Sequence, residues 1–225
     1  VDHLTRGLQL VLPMPDTPER DARELEFQAL LGTAQMMWKG YANPATGTAY
    51  QRADALMTKG GDSPRQFAVL WGVWAYYLVQ PNYAQTLAAA QRALAVAERS
   101  GDAGLLVQAL SLNCVTMFWL GRYLEAKAFT DRVLAIYNES KHGSQVWLYN
   151  HDAKRIRFIY ASQYLWMLGY PDHAARTDEE RAAQARRLGH PFLIAFGDFW
   201  GGSVWHFRAD EERHGFVGGE QWLPG

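Results

Sequence analysis

An all-α fold, an α-solenoid in which about four to five antiparallel helix pairs stack into a right-handed superhelix, is predicted by three observations on this sequence. Apolar residues recur at helical spacing along nearly the whole chain. Strand signals are almost absent, since no Asn-Gly or Asp-Gly turn separates two alternating runs. One phrase is written twice: WLGRYLEA at 119–126 and WMLGYPDHA at 166–174 each carry a Trp, a Leu-Gly pair, an aromatic ring and an Ala five residues beyond the Gly. A catalytic constellation is needed once per domain, whereas a phrase used twice marks repeated architecture.

The elements follow from local punctuation. The first dozen residues form a short helix cut off at Pro13. Pro18 suits the first turn of a helix whose Leu25, Leu30, Leu31, Ala34 and Met37 mark an apolar stripe, and Lys39-Gly40 ends it. A helix from about Asn43 to Lys59 carries Tyr50, Ala53 and Met57 on one face and stops at Gly60-Gly61. The next covers about Pro64 to Val79 and breaks at Gln80-Pro81-Asn82; an Ala-rich helix from Tyr83 to about Ser100 closes at Gly101-Asp102. A pair runs from about Gly104 to Leu120 and from Tyr123 to about Tyr137. After a longer polar and aromatic link come helices at about Asp152 to Leu168, Pro171 to Leu188 and Pro191 to Phe207.

Successive pairs are in register. Gly121 and Gly169 fall at the corner that Pro81 occupies one pair earlier, where a helix ends and the chain reverses. Ala126 and Ala174 then lie on the second helix where two backbones approach and only a small side chain fits.

These residues resemble tetratricopeptide repeats, with a Gly and Tyr at the turn and small residues at two second-helix positions. Ala126 and Val133 fill those positions in one repeat, Thr86 and Ala93 in the one before. In the third, Ala174 is in place but the later position falls on Arg181, which predicts loose packing there. More specifically, PMPDTPERDARELEFQALLGTA with KGYANP, LWGVWAYYLV, and LGYPDHA with RRLGHPF is similar to the helical-repeat region that follows the ATPase module in bacterial adenylate or guanylate cyclase-like signalling proteins. The resemblance covers residues 1–208 as one domain; 209–225, containing EERHGFVGGEQWLPG, reads as an incomplete last repeat or irregular tail. It implies a regulatory or scaffold segment of a larger cytoplasmic protein. No Gly-x-x-x-x-Gly-Lys-Ser/Thr phosphate loop is present, so any nucleotide chemistry of such a parent lies outside these residues.

Composition narrows the partners. The chain is 48% hydrophobic and 20% charged with a net charge of −1, so it can bury a core but has no basic field to hold a phosphate backbone, which argues against nucleic acid. No apolar run approaches the roughly 20 residues that span a bilayer. Cys114 is the only cysteine, which rules out an internal disulfide and fits a reducing compartment.

Candidate chemistry is thin. His206, Asp210, Glu211, Glu212 and His214 contain one Glu-x-x-His pair, but a carboxylate-bridged metal site needs a second from another helix. The DEER at 178–181 echoes the DEER at 210–213, which favours a solvated repeat face over a metal site. Cys114 reads as a compact apolar filler and His190, before Pro191, as a turn residue. No catalytic residue, cofactor or metal is expected.

The aromatic residues form the more telling pattern. Counting back from each turn, the inward positions of the first helices hold Leu78 and Val79, Phe118 and Trp119, Trp166 and Met167, then His206 and Phe207; one or two turns earlier come Trp71, Ser111, Ile159 and Phe199. Singly each is a core candidate; as a column, Trp71, Phe118, Trp119, Trp166, Phe199 and His206 are expected to line an apolar groove. The expected function is therefore binding of a protein or peptide segment, other parts of the same polypeptide included, with homo-oligomerisation open. An effector-sensing pocket closed by the link from Gln145 to Tyr149 is the alternative, and an all-α metal enzyme a distant third.

Overall fold

The computed structural model describes residues 1–60, 67–137, 153–189 and 191–208, and all regular structure among them is helical. In order these are α1 (Asp2–Val11), α2 (Pro18–Lys39), α3 (Pro44–Gly60), α4 (Phe67–Val79), α5 (Tyr83–Ser100), α6 (Ala103–Trp119), α7 (Tyr123–Ile136), α8 (Ala153–Met167), α9 (Pro171–Leu188) and α10 (Pro191–Phe207). His190 and the 145–149 link lie outside the described residues, as does the tail at 209–225.

Local chemistry sets the ends. Thr17 caps α2 by accepting from the Arg20 amide at 3.2 Å, and Asp102 caps α6 by accepting from the Gly104 and Leu105 amides at 2.7 and 3.0 Å. The duplicated phrase is one hydrogen-bond pattern written twice. At the first copy the Arg122 amide donates to Met117 O and the Gly121 amide to Phe118 O; at the second, Tyr170 donates to Leu165 O and Gly169 to Trp166 O, all at 2.9 Å. Both are Schellman corners, which place the residue after the helix in the left-handed region; Gly121 has φ +71° and Gly169 +84°. Pro81 keeps only the outer bond, Asn82 amide to Tyr77 O, because proline has no N–H for the inner one. Past each corner Thr86, Ala126 and Ala174 are fully buried, as are Ala93 and Val133 two turns later.

A Cβ on Gly121 would meet nothing within 4 Å, so backbone strain is the whole effect of a substitution. Gly121→Val should destabilise the chain by about 1–2 kcal/mol, measured as a lowered urea midpoint. An unmoved midpoint would mean that the corner relaxes freely.

The chain divides into two compact units, Val1–Thr116 and Met117–Gly225, with the boundary inside α6. In the first unit each helix from α1 to α4 packs on its successor, and α2 also meets α4. Its core depends on rings set into glycine notches. Tyr50 on α3 is 2% exposed; a Cβ on Gly32 of α2 would lie 2.9 Å from its ring, and one on Gly72 of α4 closer still. Gly47 makes the same room for Tyr76, and Gly7 for Phe27.

This interlock corrects the stripe expected on α2. Leu25 and Leu31 are buried, but Leu30 is exposed and Met37 is 78% exposed. The helix is turned so that Gly32 faces Tyr50 and Glu24 faces Arg52, which donates to both Glu24 oxygens at 2.6 and 2.8 Å. Volume and charge, rather than apolar count, decide the rotation.

Glu24 is buried, and the bidentate bond from Arg52 holds its carboxyl below the usual range against burial, which pushes it up. The folded pKa is depressed, so the stabilisation is present above the unfolded value near 4.5 and is lost as pH falls through the lower folded value. Glu24→Gln should therefore flatten the acid limb of the stability–pH curve below about pH 5. An acid limb of unchanged slope in urea titrations at successive pH values would mean that other carboxylates produce it.

From 107 to 116 α6 is buried on every side, Cys114 included, and its polar side chains bond inward. Asn113 Nδ2 donates to Ala90 O and Ala109 O, and Thr116 Oγ1 donates to Leu112 O while accepting from Trp74 Nε1 at 2.9 Å.

In the second unit α7 packs on α8, α8 on α9 and α10, and α9 on α10. For Asp178 and Arg181 the expectations are overturned here. Asp178 is buried and Arg181 is 4% exposed, so these two leave the solvated face on which Glu179 and Glu180 remain exposed, and the Arg181 position is tightly packed. Arg181 Nε donates to Asp178 Oδ1 at 2.6 Å, and Trp205 Nε1 of α10 donates to Asp178 Oδ2 at 2.9 Å. Room for the pair comes from α10, where a Cβ on Gly197 would collide with Arg181 Nη1 and one on Gly201 with Asp178 Oδ1. A charged pair takes the place of a small residue because the facing helix has given up its side chains.

Candidate functional site

The site residues expected from sequence separate by unit. Trp71 is 7% exposed in the first unit, with Tyr41 and Trp74 at ring-centroid distances of 6.5 and 6.2 Å. It is a core residue there, as is buried Ser111, and neither offers a surface. The reason is the all-round apolar character of α4, FAVLWGVWAYYLV, whose residues 67–75 are buried apart from Ala68.

Phe118, Trp119, Trp166, Phe199 and His206 belong to the second unit, and the structure joins the first two with Phe199 through rings that the sequence did not single out. Phe118 meets Tyr123 at 5.9 Å and Tyr160 at 5.0 Å. Trp119 meets Trp200 edge-on at 5.7 Å and 86°, and Phe199 meets Trp200 at 5.4 Å and 89°. The result is a wall of six rings from the end of α6, the start of α7, α8 and α10. Phe118, Trp119, Tyr123 and Trp200 are half-buried, Tyr160 is buried, and Phe199 stands 65% exposed. The wall is pinned from behind, where Gln163 Nε2 donates to Trp200 O at 3.2 Å and Ser203 Oγ donates to the same oxygen at 2.7 Å. The Trp119 Nε1 donor is buried without an acceptor.

Trp166 and His206 form a separate group around Phe207, at 5.7 and 6.3 Å. Met167, Tyr170 and Phe207 are exposed at this end, which Arg208 ties to α9 through Asp172 at 3.1 Å. The wall's hidden members, Tyr160 and Trp200, did have a sequence signal, since Trp200 follows Phe199 directly and Tyr160 lies two turns before Trp166.

No three His, Cys, Asp or Glu side chains among the described residues are grouped to hold a metal ion, and of the residues weighed as a metal site, His206, Asp210, Glu211, Glu212 and His214, only His206 is described. No helix among the described residues is long and apolar enough to cross a membrane.

The class these observations define is an all-helical chain of packed neighbouring helices with repeated corners. No protein-family model matches it, and no curated protein matches it in sequence.

Proposed function

We propose that the chain is a non-catalytic interaction module, a tetratricopeptide-like α-solenoid within a larger bacterial cytoplasmic signalling protein, that binds a protein or peptide segment against the ring wall of its second unit. The observation that carries this reading is Phe199, a large ring 65% exposed yet held edge-on against Trp200. A rigid exposed ring loses little rotamer freedom on contact, which is why aromatic side chains dominate binding energies. The reused corner supports the repeat reading, since stacked helix pairs are built from such units.

The test starts from a displayed random-peptide library panned against the whole chain. Phe199→Ala should weaken the selected peptide by about 2 kcal/mol or more while leaving urea stability within about 0.5 kcal/mol. Trp119→Ala should weaken it on the same scale at a stability cost below the roughly 3–5 kcal/mol of a core ring. If no peptide is enriched, or the variants bind unchanged, the wall is not a recognition surface.

A further inference from the structure

We infer that the buried Asp178–Arg181–Trp205 network is a rotational lock: it holds α10 in the one orientation that leaves Phe199 outside, and it contributes specificity of packing rather than stability. The inference concerns which face α10 presents and holds whatever binds there.

The argument begins with what apolar burial alone would choose. Helix α10, PFLIAFGDFWGGSVWHF, is apolar nearly all round, so its sequence offers several faces of similar hydrophobicity. The face turned inward carries Gly197, Gly201, Val204 and Trp205, two of them without side chains. Phe199 lies two residues from each of those glycines, which at about 100° per residue puts it on the opposite side. A driving force proportional to apolar area would bury the ring and expose the glycines. The observed rotation is the reverse.

Three polar requirements explain it. Arg181 and Asp178 point from α9 into space that only Gly197 and Gly201 leave open, and a turn of α10 would replace those glycines with side chains. Asp178 Oδ2 needs the Trp205 indole donor at 2.9 Å, and Arg181 Nη2 reaches Asp198 Oδ1 at 3.4 Å on the same helix. Any other rotation breaks these bonds and leaves a buried carboxylate facing carbon.

The network is a poor source of stability. Arg181 Nη1 is buried with no acceptor, so the pair is incompletely satisfied. Apolar replacement of such a group is commonly neutral or stabilising, whereas its geometric demands are strict.

The test uses thiol reporters in the full chain, where the natural Cys114 is buried. Ala195→Cys, one turn before Phe199 and exposed, reports the outer face with that ring in place, and Val204→Cys the inner one. With the network intact, the thiol at position 195 should react with a maleimide at nearly the free-thiol rate, and the thiol at position 204 should be strongly protected. In the Asp178→Leu/Arg181→Met/Trp205→Phe background the chain should stay helical with an equal or higher melting midpoint. The two rates should then converge, the outer thiol slowing and the inner one accelerating by about tenfold or more. Two outcomes overturn the inference. If the outer thiol stays fast and the inner one protected, apolar packing alone sets the rotation; if the background variant unfolds, with both thiols fast and the helical signal lost, the network supplies stability.

Discussion

Tyr50→Ala is expected to be among the most damaging single changes in the first unit, at about 3–5 kcal/mol, the range for truncating a fully buried ring. The loss should appear as a large drop in urea midpoint. Tyr50 is gripped from both sides, by Gly32 and Gly72, and its hydroxyl sits 3.2 Å from Thr33 Oγ1. Removing the ring empties a slot that neither glycine can fill. The same geometry predicts a change of sign in a second mutation. Gly72→Ala in the natural chain drives a methyl into the Tyr50 ring and should cost about 1–3 kcal/mol through overpacking. In the Tyr50→Ala background that clash is gone, and replacing a mid-helix Gly with Ala should be neutral or stabilise by about 0.5–1 kcal/mol. A Gly72→Ala effect that is equal in both backgrounds would show that ring and notch are not coupled.

Arg181→Ala is the second large effect. Asp178 would keep its bond from Trp205 but lose the guanidinium beside it while remaining buried, and removing one member of such a pair costs about 3–5 kcal/mol. Arg122→Ala is the control. Arg122 bonds Glu125 with the same 2.6 Å geometry, yet both side chains are about half exposed, where such a pair contributes roughly 0–1 kcal/mol. Equal bond lengths and unequal losses would separate burial from geometry as the cause. Similar losses in both variants, measured by urea denaturation, would contradict the burial argument.

Helix limits were legible from sequence because their determinants are local. Gly101, Gly121, Gly169 and Gly189 each end a helix with positive φ, and Pro18 and Pro171 each open one. The rotation of α2 and α10 was not legible, because it is fixed by a partner distant in sequence. Leu30 and Met37 fit an apolar stripe, and only the knowledge that Gly32 receives Tyr50 turns that stripe outward. Asp178 and Arg181, three residues apart among other charges, have the spacing of a solvated surface pair. The sign of their burial was in another helix, where Gly197, Gly201 and Gly202 interrupt an otherwise apolar run. The candidate site was half legible for the same reason. Phe118, Trp119 and Phe199 can be picked out by their distance from a corner, but Tyr160 and Trp200, which join them, become neighbours only when α8 packs on α10. Trp71 obeys the same counting rule and is nevertheless core, since the rule fixes a place along a helix and not what covers it.

The glycines of α10 bear on the order in which this region forms. Each mid-helix Gly weakens an isolated helix by about 0.5–1 kcal/mol relative to Ala, so Gly197, Gly201 and Gly202 leave α10 with little tendency to nucleate by itself. Helix α9, rich in Ala, Glu and Arg, has the better intrinsic propensity. Of the two, α9 is the stronger intrinsic helix, and α10 depends more on packing against its neighbours. Synthesis runs in the same direction, so α9 leaves the ribosome before the glycine-bearing helix that needs it.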